Sequence, residues 1–203
     1  MDQLIFKFPF AKKYFQHDFF VSSNNFSAYQ LIESWPSWPG KWLNIFGFPG
    51  SGKTHLAKIL EKKIDKIKLI NAKDINNEIV NNLNNLDCLI IDSFNNNVDE
   101  KLLYSILNQS KQLDNYVLIN SITSLKNMTF KLDDLKSRIN SFLYFGIELP
   151  TDDLLKVIIS KNLSDKQISI NPKISDFIIN NVERSYEKMF KFLKEVDELS
   201  LST

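Results

Sequence analysis

An eight-residue stretch of the sequence combines the residue types and the spacing that hold a chain of phosphates. It matches the pattern G-x-x-x-x-G-K-[ST] and consists of Gly47, Phe48, Pro49, Gly50, Ser51, Gly52, Lys53 and Thr54. In such a P-loop the backbone N–H groups point at phosphate oxygens, and glycines let the backbone come close because they lack a Cβ atom. The lysine brings a cation to the β- and γ-phosphates, and the threonine hydroxyl suits Mg²⁺. The motif therefore predicts a site for ATP or ADP together with Mg²⁺.

An acidic residue that suits the same metal ion stands at the end of an apolar run. Asp92 follows Leu89-Ile90-Ile91, and ligands of open α/β sheets bind at the carboxyl ends of strands. The alternative for Asp92 is a turn-forming residue at a strand end. Many ATPases of this class carry a second acid next, but here the residue is Ser93, which cannot act as a carboxylate base. The sequence therefore favours nucleotide binding over rapid hydrolysis.

Two acids a few residues further on are weaker candidates for that missing base. Asp99 and Glu100 open a predicted helix, where acidic side chains interact favourably with the helix dipole.

The chain has only two arginines, Arg138 and Arg184. Arginine is suited to the charge of a γ-phosphate, so each is a candidate for the nucleotide chemistry, with an ordinary surface position as the alternative.

Strands and helices alternate through most of the chain, and this alternation positions the motifs. We predict five strands, at 42–46, 66–71, 86–92, 116–119 and 142–149. We predict eight helices, at 25–35, 53–64, 72–83, 99–113, 132–140, 152–161, 174–182 and 185–199. The P-loop then lies between a strand and a helix, which argues against a glycine-rich turn without a ligand. After residue 150 the pattern contains helices only.

Composition limits the kind of protein that the sequence can specify. The 203 residues are 43% hydrophobic, carry a net charge of +1 and include one cysteine. No internal disulfide can form, and the charge argues against a strongly basic nucleic-acid coat. No apolar run has the roughly 20 residues that span a bilayer. We expect a cytoplasmic protein without a membrane segment, divided into an extended segment 1–20, an α/β domain 21–150 and a helical subdomain 151–203.

Together these motifs resemble the AAA+ ATPases of the bacterial replication initiator DnaA, and among them the short Hda-type regulators. The resemblance covers nearly the whole chain. It implies an α/β AAA+ P-loop NTPase with a five-stranded parallel sheet flanked by helices and a small, shortened helical lid. It places the adenine side of the nucleotide near Phe20, Val21 and Asn25, and it assigns Arg184 to the lid as a contact of the chain's own nucleotide.

The same resemblance implies partners. Residues of the N-terminal segment look like the peptide with which Hda-type proteins bind the DNA polymerase III sliding clamp (beta subunit), and these are Gln3, Leu4, Phe6 and Phe8. Arg138, in Asp-Leu-Lys-Ser-Arg, looks like an arginine finger that reaches the ATP of a neighbouring DnaA. A self-assembled homo-oligomer is possible as well. Residues 151–203 carry one more acidic than basic side chain and leave no length for the DNA-reading domain of DnaA, so we expect contact with DNA only through the clamp.

The sequence departs from the family pattern at two places. The first is Ser93, and the second is the region around 119–122, where the usual acidic residue is absent and Asn120 is the candidate substitute. The expected function is therefore a nucleotide-binding regulator that stimulates ATP hydrolysis by DnaA. The alternatives are a DNA-anchoring or helicase-loading AAA+ adaptor and, with less support, a small P-loop kinase.

Overall fold

Five parallel strands form a single sheet in the computed structural model, which describes residues 14, 16–165 and 171–200. The strands are β1 (Trp42–Gly47), β2 (Ile67–Asn71), β3 (Cys88–Phe94), β4 (Tyr116–Ser121) and β5 (Leu143–Ile147). Their order in the sheet is β2-β3-β4-β1-β5. The sheet and its parallel pairing confirm the predicted fold class.

The order of the strands follows from their composition. The most apolar ones, β1, β3 and β4, occupy the three central positions and are almost completely buried, as strands covered on both faces must be. The edge strands β2 and β5 are only partly buried. Because all strands run in one direction, the carboxyl ends of β1, β3 and β4 meet at one edge of the sheet.

Helices flank the sheet and connect the strands. They are α1 (Phe26–Glu33), α2 (Lys53–Glu61), α3 (Asn77–Asn82), α4 (Glu100–Gln112) and α5 (Asp133–Ile139). Each of the two longest buries one apolar face, as with Leu103, Ile106 and Leu107 of α4. Burial of these side chains stabilises the fold by roughly 1.5–3 kcal/mol for each fully buried aliphatic residue.

The predicted helix at 72–83 is wrong in its continuity. The structure has a short 3-10 turn at Ala72–Asp74, a break at Ile75, and α3 only from Asn77. The reason is local, because two asparagine side chains accept hydrogen bonds from main-chain N–H groups nearby. Asn71 accepts from Lys73 and Asn76 from Ile79, and such bonds compete with continued helix.

The chain divides into two compact units, one of which is Val21–Leu149. The other combines residues before Val21 with those after Leu149. Its described part contains a short turn at Gln16–Asp18 and three helices, α6 (Asp152–Ser164), α7 (Pro172–Asn181) and α8 (Tyr186–Ser200). An apolar core holds these helices together, formed by Leu155, Ile159, Leu163, Ile178, Ile179, Met189 and Leu193. The lysine Lys161 of α6 pairs with Asp18 of the lead-in segment.

Candidate nucleotide site

The P-loop lies between the end of β1 and the start of α2, as the motif requires. Gly47 closes the strand, and a Cβ atom there would come within 2.7 Å of the main-chain oxygen of Ile147 on β5. Gly52 precedes α2 with φ of 94°, in the left-handed region that favours glycine. Two glycines of the motif are therefore demanded by the backbone itself, and α2 starts with its N–H groups directed at the loop.

Lys53 extends its ammonium group into the loop. The Nζ atom donates to the carbonyl oxygens of Gly47 at 2.7 Å and Phe48 at 3.0 Å, and lies 3.3 Å from Ser51 Oγ. Burial lowers the pKa of Lys53, and the nearby charge of Asp92 acts in the opposite direction. Because burial penalises the ammonium ion, a phosphate placed beside it gains more than it would beside a solvated lysine.

The first turn of α2 and two strands of the sheet bring three polar side chains together beside the P-loop. Thr54 Oγ1 donates to Asp92 Oδ2 at 2.8 Å, and Asn120 Nδ2 donates to Asp92 Oδ1 at 2.9 Å. The same Asn120 amide donates to the main-chain oxygen of Lys53 at 3.1 Å. Asp92 is only 7% exposed. The arrangement joins P-loop, β3 and β4 through hydrogen bonds between side chains that are far apart in sequence.

A magnesium ion fits this donor set. The Thr54 hydroxyl and the Asp92 carboxylate are hard oxygen ligands on adjacent elements, and Mg²⁺ binds proteins through one or two such groups together with phosphate oxygens and water. Within the described part of the chain, no group of three or more His, Cys, Asp or Glu side chains is arranged to hold a metal on its own. Thr54 and Asp92 would therefore hold the ion jointly with the nucleotide, and the ion would neutralise phosphate charge.

Ser93, at the position of the expected second acid, has an unusual backbone. Its φ is 58°, in the left-handed region, where the pairing of β3 with β4 becomes irregular. The side chain is exposed, and its hydroxyl lies 3.4 Å from Asp92 Oδ2. A positive φ at a serine beside a carboxylate is the kind of strain found at functional sites. It leaves a hydroxyl, and no carboxylate, next to Asp92.

The two acids further on have structural partners, as their place in a first helical turn predicts. Asp99 caps α4 and accepts from two main-chain N–H groups of that helix at 2.8 and 3.2 Å. Glu100 accepts from the main-chain N–H groups of Lys131 and Leu132, at distances of 2.8 to 3.0 Å, just before α5. These bonds lower the pKa of Glu100. Both carboxylates therefore organise helix ends.

The two arginines have different partners. Arg138 of α5 is half-buried, and its Nη2 donates to Asn108 Oδ1 of α4 at 2.8 Å. Arg184, in the other unit, is exposed and pairs with Asp152 at 3.2 Å. Among the described residues, the contacts of Arg138 include no carboxylate, so a neutral amide orients its full charge. Arg138 has no described contact with the P-loop, and the role of Arg184 at the nucleotide stays a prediction.

The residues predicted near adenine lie around the start of α1. Asn25 is buried and accepts a hydrogen bond from a main-chain N–H three residues earlier at 2.9 Å, whereas Val21 is 43% exposed. Phe20 belongs to the unit that contains α6, α7 and α8. A neighbour that the prediction overlooked, Asn24, donates to the main-chain oxygen of Leu149 at 3.0 Å and ties this segment to the end of β5.

The predicted clamp-binding residues Gln3, Leu4, Phe6 and Phe8 lie outside the described residues. In the part of the chain that the structure describes, no helix is both long and apolar enough to cross a membrane.

The sheet order, the P-loop after β1, the acid at the end of β3 and the polar residue at the end of β4 define an AAA+ P-loop fold. Comparison with known proteins shows which proteins of this fold the chain resembles. Residues 43–133 match a family model described as RNA helicase. The DnaA protein of Chlorobaculum tepidum is 24% identical over 169 residues, which are 72% of this chain and 34% of that protein. The chain thus spans about one third of the length of that curated relative.

Solved structures agree on the fold. A replication initiator DnaA bound to AMPPCP and single-stranded DNA superposes with a TM-score of 0.74 at 20% identity, covering 91% of this chain and 64% of that one. Domain III of DnaA from Thermotoga maritima superposes with a TM-score of 0.72 at 22% identity, covering 90% and 86%. The chain is therefore similar to DnaA in sequence and shares the fold of its AAA+ domain, which supports the predicted resemblance at that level. The Hda-type assignment stays a prediction.

Proposed function

We propose that this protein binds ATP or ADP with Mg²⁺ and uses the nucleotide to regulate replication initiation, in the manner of Hda-type relatives of DnaA. The observation that carries the proposal is the cluster of Thr54, Asp92 and Asn120 below a complete P-loop, with Ser93 in place of a second acid. The AMPPCP bound to a DnaA neighbour supports the nucleotide class.

The cluster favours a nucleotide that stays bound over one that is rapidly hydrolysed. A general base must reach the attacking water and have a suitable pKa. The side chain after Asp92 is a hydroxyl, and the next acids along the chain, Asp99 and Glu100, already accept main-chain hydrogen bonds at helix ends. In this proposal the nucleotide sets the shape of the protein, and slow hydrolysis keeps that shape long-lived.

Arg138 supplies the activity toward a partner. Its guanidinium group is oriented by the neutral amide of Asn108, so its charge is available to a phosphate brought by another molecule. Arg184, in contrast, has the carboxylate of Asp152 as a partner. An arginine offered to a neighbour's γ-phosphate accelerates phosphoryl transfer by roughly 10³–10⁵ in well-studied systems. The neighbour in this proposal is ATP-bound DnaA.

The clamp peptide is the second part of the proposal and rests on the sequence alone. Gln3, Leu4, Phe6 and Phe8 would bind the sliding clamp on DNA, so that contact with DNA is indirect. The protein would then act in the cytoplasm where replicated DNA carries loaded clamps. A homo-oligomer that shares nucleotide sites remains part of the proposal.

Phosphate release tests both parts. The protein is mixed with ATP-bound DnaA and DNA-loaded clamp, and we expect faster release than with DnaA alone. Arg138→Ala should abolish the stimulation, and Gln3→Ala combined with Leu4→Ala should abolish its dependence on the clamp. Lys136→Ala is the matched control, because it removes an exposed cation from the same helix. Absence of stimulation by the wild-type protein would sink the proposal.

A DNA-anchoring or helicase-loading adaptor is the second candidate, and the single-stranded DNA in the DnaA neighbour favours it. Fluorescence anisotropy with a labelled single strand separates the two candidates. Direct, nucleotide-dependent binding without any effect on DnaA would support the adaptor. Phosphate transfer by this protein alone to a small acceptor would instead indicate a P-loop kinase.

A further inference from the structure

We infer that Asn44, a fully buried amide in β1, is a positioning residue that holds Asn120 against Asp92. The metal ion that Asp92 would hold bridges the β- and γ-phosphates in P-loop sites, so this contact favours a triphosphate over a diphosphate. The inference rests on the proposed nucleotide-binding function, and it assigns a role to a residue that touches neither Asp92 nor the P-loop in the described contacts. Among the residues of β1, Asn44 is the polar one in an otherwise apolar strand.

The three hydrogen bonds of the Asn44 side chain surround Asn120 in the sequence. Its Nδ2 atom donates to the main-chain oxygen of Ile119 at 2.8 Å and to Ser121 Oγ at 2.9 Å. Its Oδ1 atom accepts from the main-chain N–H of Leu125 at 3.0 Å. Asn44 therefore forms hydrogen bonds with the residue before Asn120, with the residue after it, and with the turn that follows the strand.

The action of Asn44 passes through the backbone of β4. Asn44 lies directly opposite Ile119 in the β1–β4 pairing, and side chains along a strand alternate between its two faces. Ile119 and Ser121 therefore share one face with Asn44, while the Asn120 side chain points to the other. The Ser121 hydroxyl also donates to the Thr123 main-chain oxygen at 2.6 Å, which closes the turn.

Asn120 needs accurate placement because of what its own amide does. Its Nδ2 atom is committed to Asp92 Oδ1 and the Lys53 main-chain oxygen. Its Oδ1 atom is fully buried and has no hydrogen-bond partner among the described residues. Since both acceptors must face the Nδ2 atom, the orientation of the amide is determined, and a small shift of the end of β4 would break the contact with Asp92.

A purely structural role does not explain an amide at position 44. A buried amide costs free energy unless its donors and acceptor are bonded, and an apolar side chain of similar volume is the simpler occupant of a central strand. Both Nδ2 hydrogens and the Oδ1 atom of Asn44 are bonded. Fully satisfied buried polar groups restrict a core to one arrangement, and here that arrangement is the end of β4 that carries Asn120.

The test measures the affinities of AMPPCP and ADP, each with Mg²⁺, by calorimetry. The P-loop is unchanged in Asn44→Leu, so we expect ADP affinity to stay within about twofold of wild type. We expect AMPPCP affinity to fall roughly tenfold, which corresponds to about 1.4 kcal/mol of binding free energy. Asn44→Leu in the background of Asn120→Ala should have no additional effect on AMPPCP, because the residue through which it acts is gone.

Asn115→Leu is the matched control. Asn115 is also a buried asparagine, and its Nδ2 atom donates to the Leu83 main-chain oxygen at 2.7 Å, but it lies just before the opposite end of β4. Its replacement should lower the melting temperature and leave the AMPPCP to ADP ratio unchanged. If Asn44→Leu fails to fold, Ser121→Ala removes one partner of Asn44 and should shift the ratio in the same direction.

The outcomes separate the inference from the function on which it rests. Additive effects of Asn44→Leu and Asn120→Ala, or equal losses of AMPPCP and ADP affinity, would overturn the inference while nucleotide binding stands. A shift of the ratio in Asn115→Leu as large as that in Asn44→Leu would overturn it too. Failure of the wild-type protein to bind either nucleotide would instead refute the proposed function.

Discussion

Replacing Thr54 by valine perturbs the site at one atom. Valine has nearly the same shape, so the change removes the hydroxyl that donates to Asp92 Oδ2 at 2.8 Å and leaves the start of α2 intact. Asp92 is 7% exposed, so water replaces the lost donor poorly. A hydrogen bond to a charged group contributes about 1.5–3 kcal/mol.

The stability change follows from that magnitude. For a chain of this length, each kcal/mol shifts Tm by about 2–4 °C, so Thr54→Val should lower the Tm of the nucleotide-free protein by about 3–12 °C. Differential scanning calorimetry gives the value. The control is Thr129→Val, which changes an exposed threonine of the loop before α5 and should leave Tm nearly unchanged.

The second arm of the experiment tests whether Thr54 takes part in Mg²⁺ binding. ADP with Mg²⁺ at about 100 times its Kd should stabilise the wild-type protein by about 2.7 kcal/mol. Thr54→Val should lose the part of this stabilisation that EDTA removes from the wild type, and the two proteins should respond alike to ADP in EDTA. An unchanged Tm without nucleotide, or an unchanged response to Mg²⁺, would refute the assignment of Thr54 as a partner of Asp92 and of the metal.

Three further predictions concern titration and reactivity. Burial lowers the pKa of Lys53 below 10.5, so nucleotide affinity should fall as the pH rises through the lowered pKa. Over the same pH range the contribution of Lys53 to folding stability should rise, because the unfolded chain holds a proton that the folded chain has lost. Titration calorimetry and melting curves of wild type and Lys53→Met from pH 7.5 to 10 check the direction of both changes. Main-chain donors of Lys131 and Leu132 lower the pKa of Glu100, so its stabilisation is complete above 4.5 and lost as the pH falls through the lowered pKa. The Tm difference between wild type and Glu100→Gln should therefore vanish in acid. A difference that persists there would contradict the stabilising role of the Glu100 carboxylate. Burial raises the pKa of the Cys88 thiol far above its usual range, so a thiol reagent at pH 8 should label it only after denaturation.

Much of the fold could be predicted from local patterns. The apolar runs of β1, β3 and β4 are long enough to place them in the middle of a sheet, and the P-loop pattern locates the join between a strand and a helix. The prediction failed at 72–83, where the side chains of Asn71 and Asn76 bond main-chain N–H groups and interrupt the helix. Helical periodicity does not reveal such competition, because it counts apolar positions and not hydrogen bonds.

The residues of the site also fall into two groups, those that local sequence patterns reveal and those that only the tertiary structure reveals. Thr54 and Asp92 could be assigned because each stands in a local pattern, but their 2.8 Å contact depends on strands that meet only in the sheet. Asn44 was overlooked, although a single polar residue within Trp-Leu-Asn-Ile-Phe was a signal that it had a specific partner. That partner is the end of β4, about 75 residues away in the chain.

The sequence by itself predicted a P-loop, an acidic residue suited to a metal ion without a second acid beside it, and an alternation of elements that requires a parallel sheet. Those features depend on residue types at short spacing, which the chain carries whatever its long-range contacts. Tertiary structure alone decided that Glu100 accepts main-chain hydrogen bonds at the start of α5 and that a neutral amide orients Arg138. It also decided that Asn120 donates to Asp92 and that Asn44 bonds the residues on both sides of Asn120. Hydrogen bonds act over about 3 Å, and only the packing of the strands brings such distant residues within that distance.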